Sequence, residues 1–290
     1  MIRIVAALLL IAALVPDATF AATSDEGVSY PLSLTRGSRL LIAAKINGLP
    51  VAALLDSAAE ATIIDQRLAR KLGLGQGAAV VGQGSGEASF QAALVGGVTL
   101  EALGLSLRDR TVAVTDLSDV GRRLLRHRVD VILGREIFDA ARLLIDIERR
   151  RIVVLGRDHE PHGVRLDLVT ENGVETIPVR VESGPPVRAT FDLGNGSRMM
   201  IGSTLATQMK LLSDGRKVSF ARGGGLGGET RQQIITLRTI DIAGRLFQNV
   251  EATIDRHSSA SDLNIGVSEL RHFWITTDFA NHAVWLDFRK

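Results

Sequence analysis

The same short pattern occurs twice in this chain: an apolar, strand-like run that ends in Asp and is followed by small residues. The first copy ends at Asp56 and the second at Asp192, 136 positions later, and Gly48 and Gly184 have the same separation. Such a duplication can bring two carboxylates together across a pseudo-twofold axis, and a pair of close carboxylates supports acid–base chemistry. The repeat therefore predicts two related halves that meet at two Asp residues.

The repeat continues beyond the two Asp residues. Ile132-Leu133-Gly134 corresponds to Asn264-Ile265-Gly266, and Asp146 corresponds to Asp278, both at a separation of 132. A polar segment with a proline lies between the copies, which is typical of a linker. We therefore predict a first lobe at 28–157, a linker at 158–163 and a second lobe at 164–290.

The first residues have the composition of a targeting segment. Arg3 provides a positive start, an apolar run covers Ile4 to Val15, and Thr19 to Ala22 offers a small-residue cleavage site. The apolar run is too short to span a bilayer, so residues 1–22 are predicted to be a cleaved secretory signal peptide. The mature protein is then expected in the periplasm or the medium, without a stable membrane anchor.

The composition excludes several classes of function. Hydrophobic residues make up 46% of the chain and charged residues 23%, which is typical of a globular protein. The absence of Cys excludes disulfides, thiol catalysis and thiolate metal sites. The net charge of +2 is too small to favour nucleic acid as a partner, and the local Arg clusters are interpreted as solvated surfaces.

The pattern of apolar residues predicts an all-β fold, mainly β with short helices. Short apolar or alternating runs of strand length predict strands at Leu40–Ile46, Val51–Leu55, Val131–Leu133, Leu143–Ile147, Ile152–Leu155 and Thr176–Val181. One short helix is expected after each Asp. Asp65 can cap a helix over Gln66–Leu72, and Ser203 can cap one over Thr204–Lys210.

A glycine-rich stretch follows each Asp by about 30 residues. The first stretch is Gly82-Gln-Gly84-Ser-Gly86 and the second is Gly223-Gly-Gly225-Leu-Gly227-Gly228. An alternating strand pattern follows each stretch, which predicts two β-hairpins with mobile glycine tips. A phosphate-binding loop is the alternative, but neither stretch is followed by Lys-Ser/Thr or by a helix start.

The segment around the first Asp resembles the active-site segment of the retropepsin-like aspartic proteases. It runs Ala53-Leu-Leu-Asp56-Ser57-Ala58-Ala59, and a short Leu-rich segment follows from Leu68. Residues 132–138, an apolar run into Gly-Arg, resemble the second signature of that family. The resemblance covers both halves. It implies two pepsin- or retropepsin-like β-barrel lobes in one chain, and a monomer with an internal pseudo-dimer.

The resemblance also implies a reaction. Asp56 and Asp192 would form a dyad that shares one proton, so that one carboxylate activates a water and the other polarises the peptide carbonyl. The two glycine hairpins would close over an extended peptide substrate. No metal or other cofactor is implied. His159 and His162 could in principle bind a metal, but they are interpreted as solvated linker residues.

The active-site loops depart from the family pattern at two positions. Ala58 stands where the family has Gly, and Leu193 stands where a hydroxyl residue is expected, whereas Gly194 keeps the family glycine. Only Ser57 could therefore brace the two loops against each other. Two alternatives to an endopeptidase stay open: an inactive peptide-binding or envelope-assembly protein that uses the same cleft, and a structural β domain in which each Asp only caps its own turn.

Overall fold

The computed structural model describes residues 22–24, 27–255 and 262–289. Strands make up 52% and helices 12% of the described residues, which confirms the prediction of a mainly β fold with short helices. The predicted signal segment lies outside the described residues, apart from Ala22. In the described ranges, no helix combines the length and the apolar character needed to cross a bilayer.

The described part of the first half is built from twelve strands and a few short helices. The strands are β1 (Ala22–Ser24), β2 (Gly27–Pro31), β3 (Ser33–Leu34), β4 (Leu40–Ile46), β5 (Leu49–Leu55), β6 (Ile63–Asp65), β7 (Ala78–Gly82), β8 (Phe90–Ala102), β9 (Leu105–Thr115), β10 (Val131–Leu133), β11 (Leu143–Asp146) and β12 (Arg151–Leu155). The helices are α1 (Gln66–Lys71), α2 (Ser118–Val120), a π-helical turn (Gly121–Leu125) and α3 (Glu136–Ala140).

The second half repeats this plan with eleven described strands. The strands are β13 (Val164–Asp167), β14 (Val169–Glu171), β15 (Val174–Val181), β16 (Pro186–Phe191), β17 (Met199–Gly202), β18 (Ser219–Gly223), β19 (Thr230–Ile242), β20 (Arg245–Asp255), β21 (Leu263–Ile265), β22 (Phe273–Asp278) and β23 (Ala283–Phe288). The helices are α4 (Ser203–Gln208), α5 (Val267–Leu270) and a 3₁₀ turn (Phe279–Asn281).

Each half forms a closed barrel of six strands. In the first barrel the order is β4-β5-β10-β6-β9-β8, and pairing between β8 and β4 closes it. In the second barrel the corresponding order is β15-β16-β21-β17-β20-β19, closed by β19 and β15. The side chains of β4 alternate between buried and more exposed positions, as expected for a strand with one face toward a core. The two barrels confirm the predicted pair of barrel lobes.

A third sheet joins the two halves. Its order is β1-β2-β12-β11-β22-β23-β13, so strands from the first half lie beside strands from the second. At the junction, β11 and β22 are antiparallel, and Leu143 pairs with Thr277. Buried residues of both halves, including Leu55 and Phe191, belong to one continuous core. This shared core and sheet fix the two barrels relative to each other.

The local predictions agree with the structure to within a few residues, with one correction. The Asp65 side chain accepts a hydrogen bond from the Arg67 backbone N–H at 3.0 Å and caps α1 as predicted. The prediction that Ser203 caps the second helix is wrong. Ser203 is the first residue of α4, Gly202 occupies the capping position, and no side chain caps this end. The backbone at Gly202 is extended, so Gly202 takes the cap position and the helix begins at Ser203, one residue earlier than predicted.

The two glycine-rich stretches form the turns of antiparallel hairpins, as predicted. The first hairpin consists of β7, β8 and the turn at 83–89, and Gly82 pairs with Phe90 at its last ladder position. The second hairpin consists of β18, β19 and the turn at 224–229, and Gly223 pairs with Thr230. Both long strands continue from the hairpin into a barrel, so each hairpin is anchored in its own lobe.

Candidate active site

Asp56 and Asp192 occupy equivalent places at the ends of β5 and β16. Each follows a strand that pairs in parallel with a short neighbouring strand, β10 or β21. The Asp56 backbone N–H donates to the Leu133 carbonyl and the Asp192 N–H donates to the Ile265 carbonyl, both at 3.0 Å. The chain is therefore held in the same way at both residues, and each carboxylate leaves its strand at the same point of its barrel.

Backbone donors from the following loop orient each carboxylate. The Ala58 N–H donates to Asp56 Oδ1 at 2.9 Å. In the second loop, the N–H groups of Gly194 and Asn195 donate to Asp192 Oδ1 at 2.8 and 2.9 Å. The methyl group of Ala58 does not prevent this contact, so the departure from glycine leaves the orientation of Asp56 intact.

Gly194 brings the second loop against the carboxylate of the first lobe. A methyl group built on Gly194 would overlap the carboxyl carbon and both oxygens of Asp56. Only a residue without a side chain allows this approach. The two Asp loops therefore meet at the boundary between the lobes, and both carboxylates are only partly accessible to solvent.

Ser57 links the two loops across the same boundary. Its hydroxyl donates to the Phe191 carbonyl at 2.7 Å and accepts from the Leu193 N–H at 2.9 Å, and the residue is buried. Leu193 is fully buried in the core and has no hydroxyl with which to make the reciprocal bonds. Only the first loop therefore supplies a side-chain hydroxyl to the contact between the two loops, as the sequence predicts.

Asn264 is a site residue that the sequence reasoning did not select. Its side-chain Nδ2 donates to Asp192 Oδ2 at 2.6 Å, and its Oδ1 accepts from Asn195 Nδ2 at 2.8 Å. Asp192 thus receives backbone donors on Oδ1 and a side-chain donor on Oδ2. The repeat carries a signal for this residue, because Asn264 takes the place of Ile132 in a short strand that is otherwise apolar.

Arg39 is a second residue that sequence reasoning missed. It is 9% exposed and lies beside the second loop, since a methyl group on Gly196 would fall 2.9 Å from the Arg39 Cγ. Its guanidinium donates to the Gly37 carbonyl at 3.3 Å. Among the described residues, no carboxylate lies within 4 Å of it. Burial lowers the pKa of Arg39, whereas the charges of Asp192 and Asp56 raise it.

The two carboxyl groups have raised pKa values. Burial is the main cause that raises the pKa of Asp56 to about 7, and the negative charge of Asp192 is the second. The backbone donors and the charge of Arg39 lower this pKa and so oppose the shift. Burial also raises the pKa of Asp192, but the hydrogen bond from Asn264 opposes this most strongly. Two buried carboxylates whose charges oppose each other do not both ionise readily.

The tips of the two hairpins contact each other. The Gly86 N–H donates to the Leu226 carbonyl at 2.8 Å, and the Ala88 N–H donates to the Gly227 carbonyl at 2.9 Å. The Arg123 side chain of the first lobe donates to the Gly225 carbonyl at 2.8 Å. A methyl group on Gly84 would also press on Leu226. The first hairpin is therefore joined to the second by backbone hydrogen bonds.

Two predicted hairpin glycines and the two linker histidines remain to be placed. Gly82 lies at the end of β7 and Gly228 in the turn of the second hairpin. His159 and His162 contact each other edge to face, with ring centroids 6.4 Å apart. Within the described ranges, no group of three or more His, Asp and Glu residues is arranged to hold a metal.

Comparison with known families agrees with this geometry. The family model described as aspartyl protease matches residues 42–137, which include Asp56 and residues 132–137 of the second signature. Over these residues the chain is similar to the retropepsin-like aspartyl proteases. The second lobe has the same barrel order and carries Asp192 at the equivalent strand end. The chain matches no curated protein.

Proposed function

We propose that this protein is an exported aspartic endopeptidase that hydrolyses peptide bonds with an Asp56/Asp192 dyad and without a cofactor. The observation that carries the proposal is the placement of Gly194 against the Asp56 carboxyl group, because it brings the two repeat-related Asp loops together at one point. The aspartyl protease match to the first lobe supports the reaction type.

The hydrogen bonds favour different protonation states for the two carboxyl groups. Asn264 and two backbone donors stabilise ionised Asp192, whereas the proton is favoured on Asp56, whose pKa is raised to about 7. Ionised Asp192 would take a proton from a bound water as this water attacks the peptide carbonyl. Protonated Asp56 would donate a hydrogen bond to the carbonyl oxygen, and a proton would then pass to the leaving amine.

The hairpins supply the means to enclose a peptide. Backbone groups of the two tips form hydrogen bonds with each other, for example from the Gly86 N–H to the Leu226 carbonyl. An extended peptide can bind such groups by strand addition, provided that the tips separate first. In this proposal the hairpins open to admit the substrate and close over it.

Export is part of the proposal and rests on the composition of residues 1–22. The mature N-terminus is expected near Ala22 or Thr23, in the periplasm or the medium. N-terminal sequencing of the purified protein is the measurement, and an intact Met1 on cytoplasmic protein would contradict export.

An inactive peptide-binding protein is the second candidate, because the brace between the loops is made by Ser57 alone. A double variant, Ala58→Gly with Leu193→Thr, restores the family residues and separates the two functions. A rise in peptide hydrolysis supports a weakened enzyme, and no hydrolysis by either protein supports the binder. The third alternative, a structural domain with turn-capping Asp residues, does not require the approach of Gly194 to Asp56.

The experiment that tests the proposed function measures the cleavage of a diverse peptide library by the full mature protein. We expect cleavage at acidic to neutral pH that a statine-type transition-state inhibitor of aspartic proteases suppresses. Cleavage that the inhibitor does not affect, or the absence of cleavage at any pH from 3 to 8, would contradict the proposal.

Replacement of Arg39 should shift the pH dependence of this activity. The Arg39 charge lowers the pKa values of Asp56 and Asp192, and activity needs one of the two ionised. In Arg39→Gln both pKa values rise, so we expect the acidic limb of the profile of kcat/KM against pH to move upward by about one pH unit. Arg36→Gln, at an exposed position of the same loop, is the control and should leave the limb in place.

A further inference from the structure

The repeat that relates the two Asp residues also relates the short helices α3 and α5. At the separation of 132, Gly134 corresponds to Gly266 and Ile137 to Glu269. Ile137 is fully buried in the continuous core, and Glu269 is only 5% exposed. A carboxyl group in the second lobe therefore replaces an aliphatic core residue of the first. Buried Glu is rare without a partner, and a break in the core pattern is typical of a functional position.

Helix α5 holds the end of the second Asp loop, residues 192–198. The Val267 N–H donates to the Asn195 carbonyl at 2.8 Å. The Ser268 Oγ lies 3.0 Å from the Ser197 carbonyl oxygen, which is within hydrogen-bond distance. The loop that carries Asp192 is therefore bound to α5 by one backbone contact and one side-chain contact.

The first lobe makes the corresponding side-chain contact without a hydroxyl donor on its helix. Glu136, which corresponds to Ser268, accepts hydrogen bonds from the N–H and the Oγ1 of Thr62 at 2.8 and 3.0 Å. The same helix position therefore binds the Asp loop in both lobes. In the second lobe, however, the contact depends on a hydroxyl hydrogen for which a neighbouring carboxyl group competes.

The Ser268 hydroxyl has two possible acceptors and one hydrogen. Its Oγ lies 2.7 Å from Glu269 Oε2 and 3.0 Å from the Ser197 carbonyl oxygen. An ionised Glu269 can only accept, so it takes the Ser268 hydrogen away from Ser197, because a charged acceptor forms the stronger bond. A protonated Glu269 can instead donate to the Ser268 Oγ, which leaves the Ser268 hydrogen free for Ser197.

Hydrogen bonds connect Ser197 to the Asp192 carboxylate. The Ser197 N–H donates to Asn195 Oδ1 at 2.9 Å, and the Asn195 N–H donates to Asp192 Oδ1 at 2.9 Å. Asn195 Nδ2 also donates to Asn264 Oδ1, and Asn264 Nδ2 in turn donates to Asp192 Oδ2. A displacement of Ser197 would therefore act on Asn195, which contacts both groups that orient Asp192.

The protonation of Glu269 changes near neutral pH. Burial raises the pKa of Glu269 to about 7, and the hydrogen bond from Ser268 and the backbone groups of Gly266 and Glu269 oppose this shift. Among the described residues, no neighbouring charge contributes to it. The pKa of His272, just after α5, is lowered mainly by burial. The other charged side chains around α5 have partners of their own, namely Arg198 with Glu251, Arg271 with Glu148, and Asp192 with Asn264.

From these contacts we infer that Glu269 is a positioning residue whose protonated carboxyl group, acting through the Ser268 hydroxyl, holds the second Asp loop in place for catalysis. This inference rests on the proposed function and deepens it, because it links the orientation of Asp192 to a proton outside the dyad. Loss of this proton withdraws Ser268 from Ser197 and loosens the loop. Acidic pH therefore favours hydrolysis through Glu269 as well as through the dyad.

Backbone amide NMR of the full mature protein tests this link without any need for cleavage. The Arg198 amide directly follows the Ser197 carbonyl, so its chemical shift reports whether that carbonyl accepts a hydrogen bond. In the Asp56→Asn background, which removes the titration of Asp56, we expect the Arg198 resonance to titrate near pH 7. Addition of Glu269→Gln should abolish this titration. Glu251→Gln is the matched control, because Glu251 binds Arg198 at the surface, and it should leave the titration in place.

Kinetics on a cleaved library peptide provide a second measurement. Ser268→Ala removes the shared hydroxyl, so we expect kcat at pH 5 to fall about tenfold with KM unchanged. The Glu269→Gln side chain is neutral at every pH and can donate to Ser268, so it imitates protonated Glu269. Its kcat should equal that of the wild type at pH 5 and exceed it by a factor that approaches about tenfold at pH 8.5. Glu251→Gln should follow the wild type throughout.

The outcomes separate this inference from the proposed function. An Arg198 amide that does not titrate near pH 7, or that titrates equally with Glu269→Gln, would overturn the inference while leaving the protease activity intact. A ratio of kcat between Glu269→Gln and the wild type that stays constant from pH 5 to 8.5 would also overturn it, since a merely structural carboxyl group does not act on the loop. If the wild type cleaves no peptide, the proposed function fails, and the amide titration alone decides whether Glu269 controls the loop.

Discussion

Asp56→Asn and Asp192→Asn should each abolish peptide hydrolysis, with kcat/KM reduced at least about 10³-fold. The amide of Asn can neither take a proton from water nor donate an acidic proton to the carbonyl oxygen, so either change removes one partner of the dyad. Steady-state kinetics on a cleaved library peptide measure this effect. Activity that survives either substitution would contradict the assignment of the dyad, because a turn-capping Asp is replaced by Asn at little cost.

The same Asp56→Asn variant should be more stable than the wild type at neutral pH. The pKa of Asp56 is raised from an unfolded value near 3.8 to about 7, so the folded state binds more protons between these values and wild-type stability falls as pH rises through this range. The variant lacks this penalty and should gain about 1 to 4 kcal/mol at pH 7.5. At pH 3.5 no such gain is expected.

Urea unfolding at pH 3.5, 5.5 and 7.5 measures that difference in stability. The expected result is a gap between variant and wild type that widens with pH. A gap that is constant across the three values would mean that Asp56 titrates normally in the folded protein, and that its carboxyl group is not paired with Asp192.

Gly194→Ala should produce the second-largest effect. The added methyl group would overlap the Asp56 carboxyl group, so the two Asp loops must separate or shift. We expect a loss of kcat/KM of at least about 100-fold and a destabilisation of about 1 to 3 kcal/mol. The comparison is made by kinetics and urea unfolding on the same preparations.

Gly75→Ala is the matched control for this substitution. A methyl group at Gly75 meets no atom within 4 Å, and its backbone is not in the left-handed region. The control should therefore retain both activity and stability. Full activity in Gly194→Ala would show that the second loop does not need to approach Asp56 closely.

The sequence predicted the elements that depend on local patterns. Leu40–Ile46 and Val131–Leu133 are strands with the predicted bounds. Alternating or short apolar runs are visible in the sequence without knowledge of distant contacts, so these strands could be predicted. The cap by Asp65 also needs only neighbours along the chain. The repeat predicted where the two Asp residues would lie, since equal spacing in two copies implies equal positions in two similar barrels.

The contacts that depend on long-range packing were not predicted. Arg39 reaches the second Asp loop only because the two barrels share a core and a sheet. The Asn264 side chain meets Asp192 across two parallel strands, which single-sequence patterns do not register. The bonds between Gly86 and the second hairpin likewise join residues from different lobes.

If Asp56 and Asp192 form a dyad, they titrate as one pair, and carboxyl-carbon NMR of the ¹³C-labelled protein between pH 3 and 9 measures this. In the wild type, Asp56 should titrate near 7. In Asp192→Asn its pKa should fall, because the neighbouring negative charge that raises it is gone. If Asp56 titrates near 4 in both proteins, the two carboxylates do not share a proton and do not form a catalytic dyad.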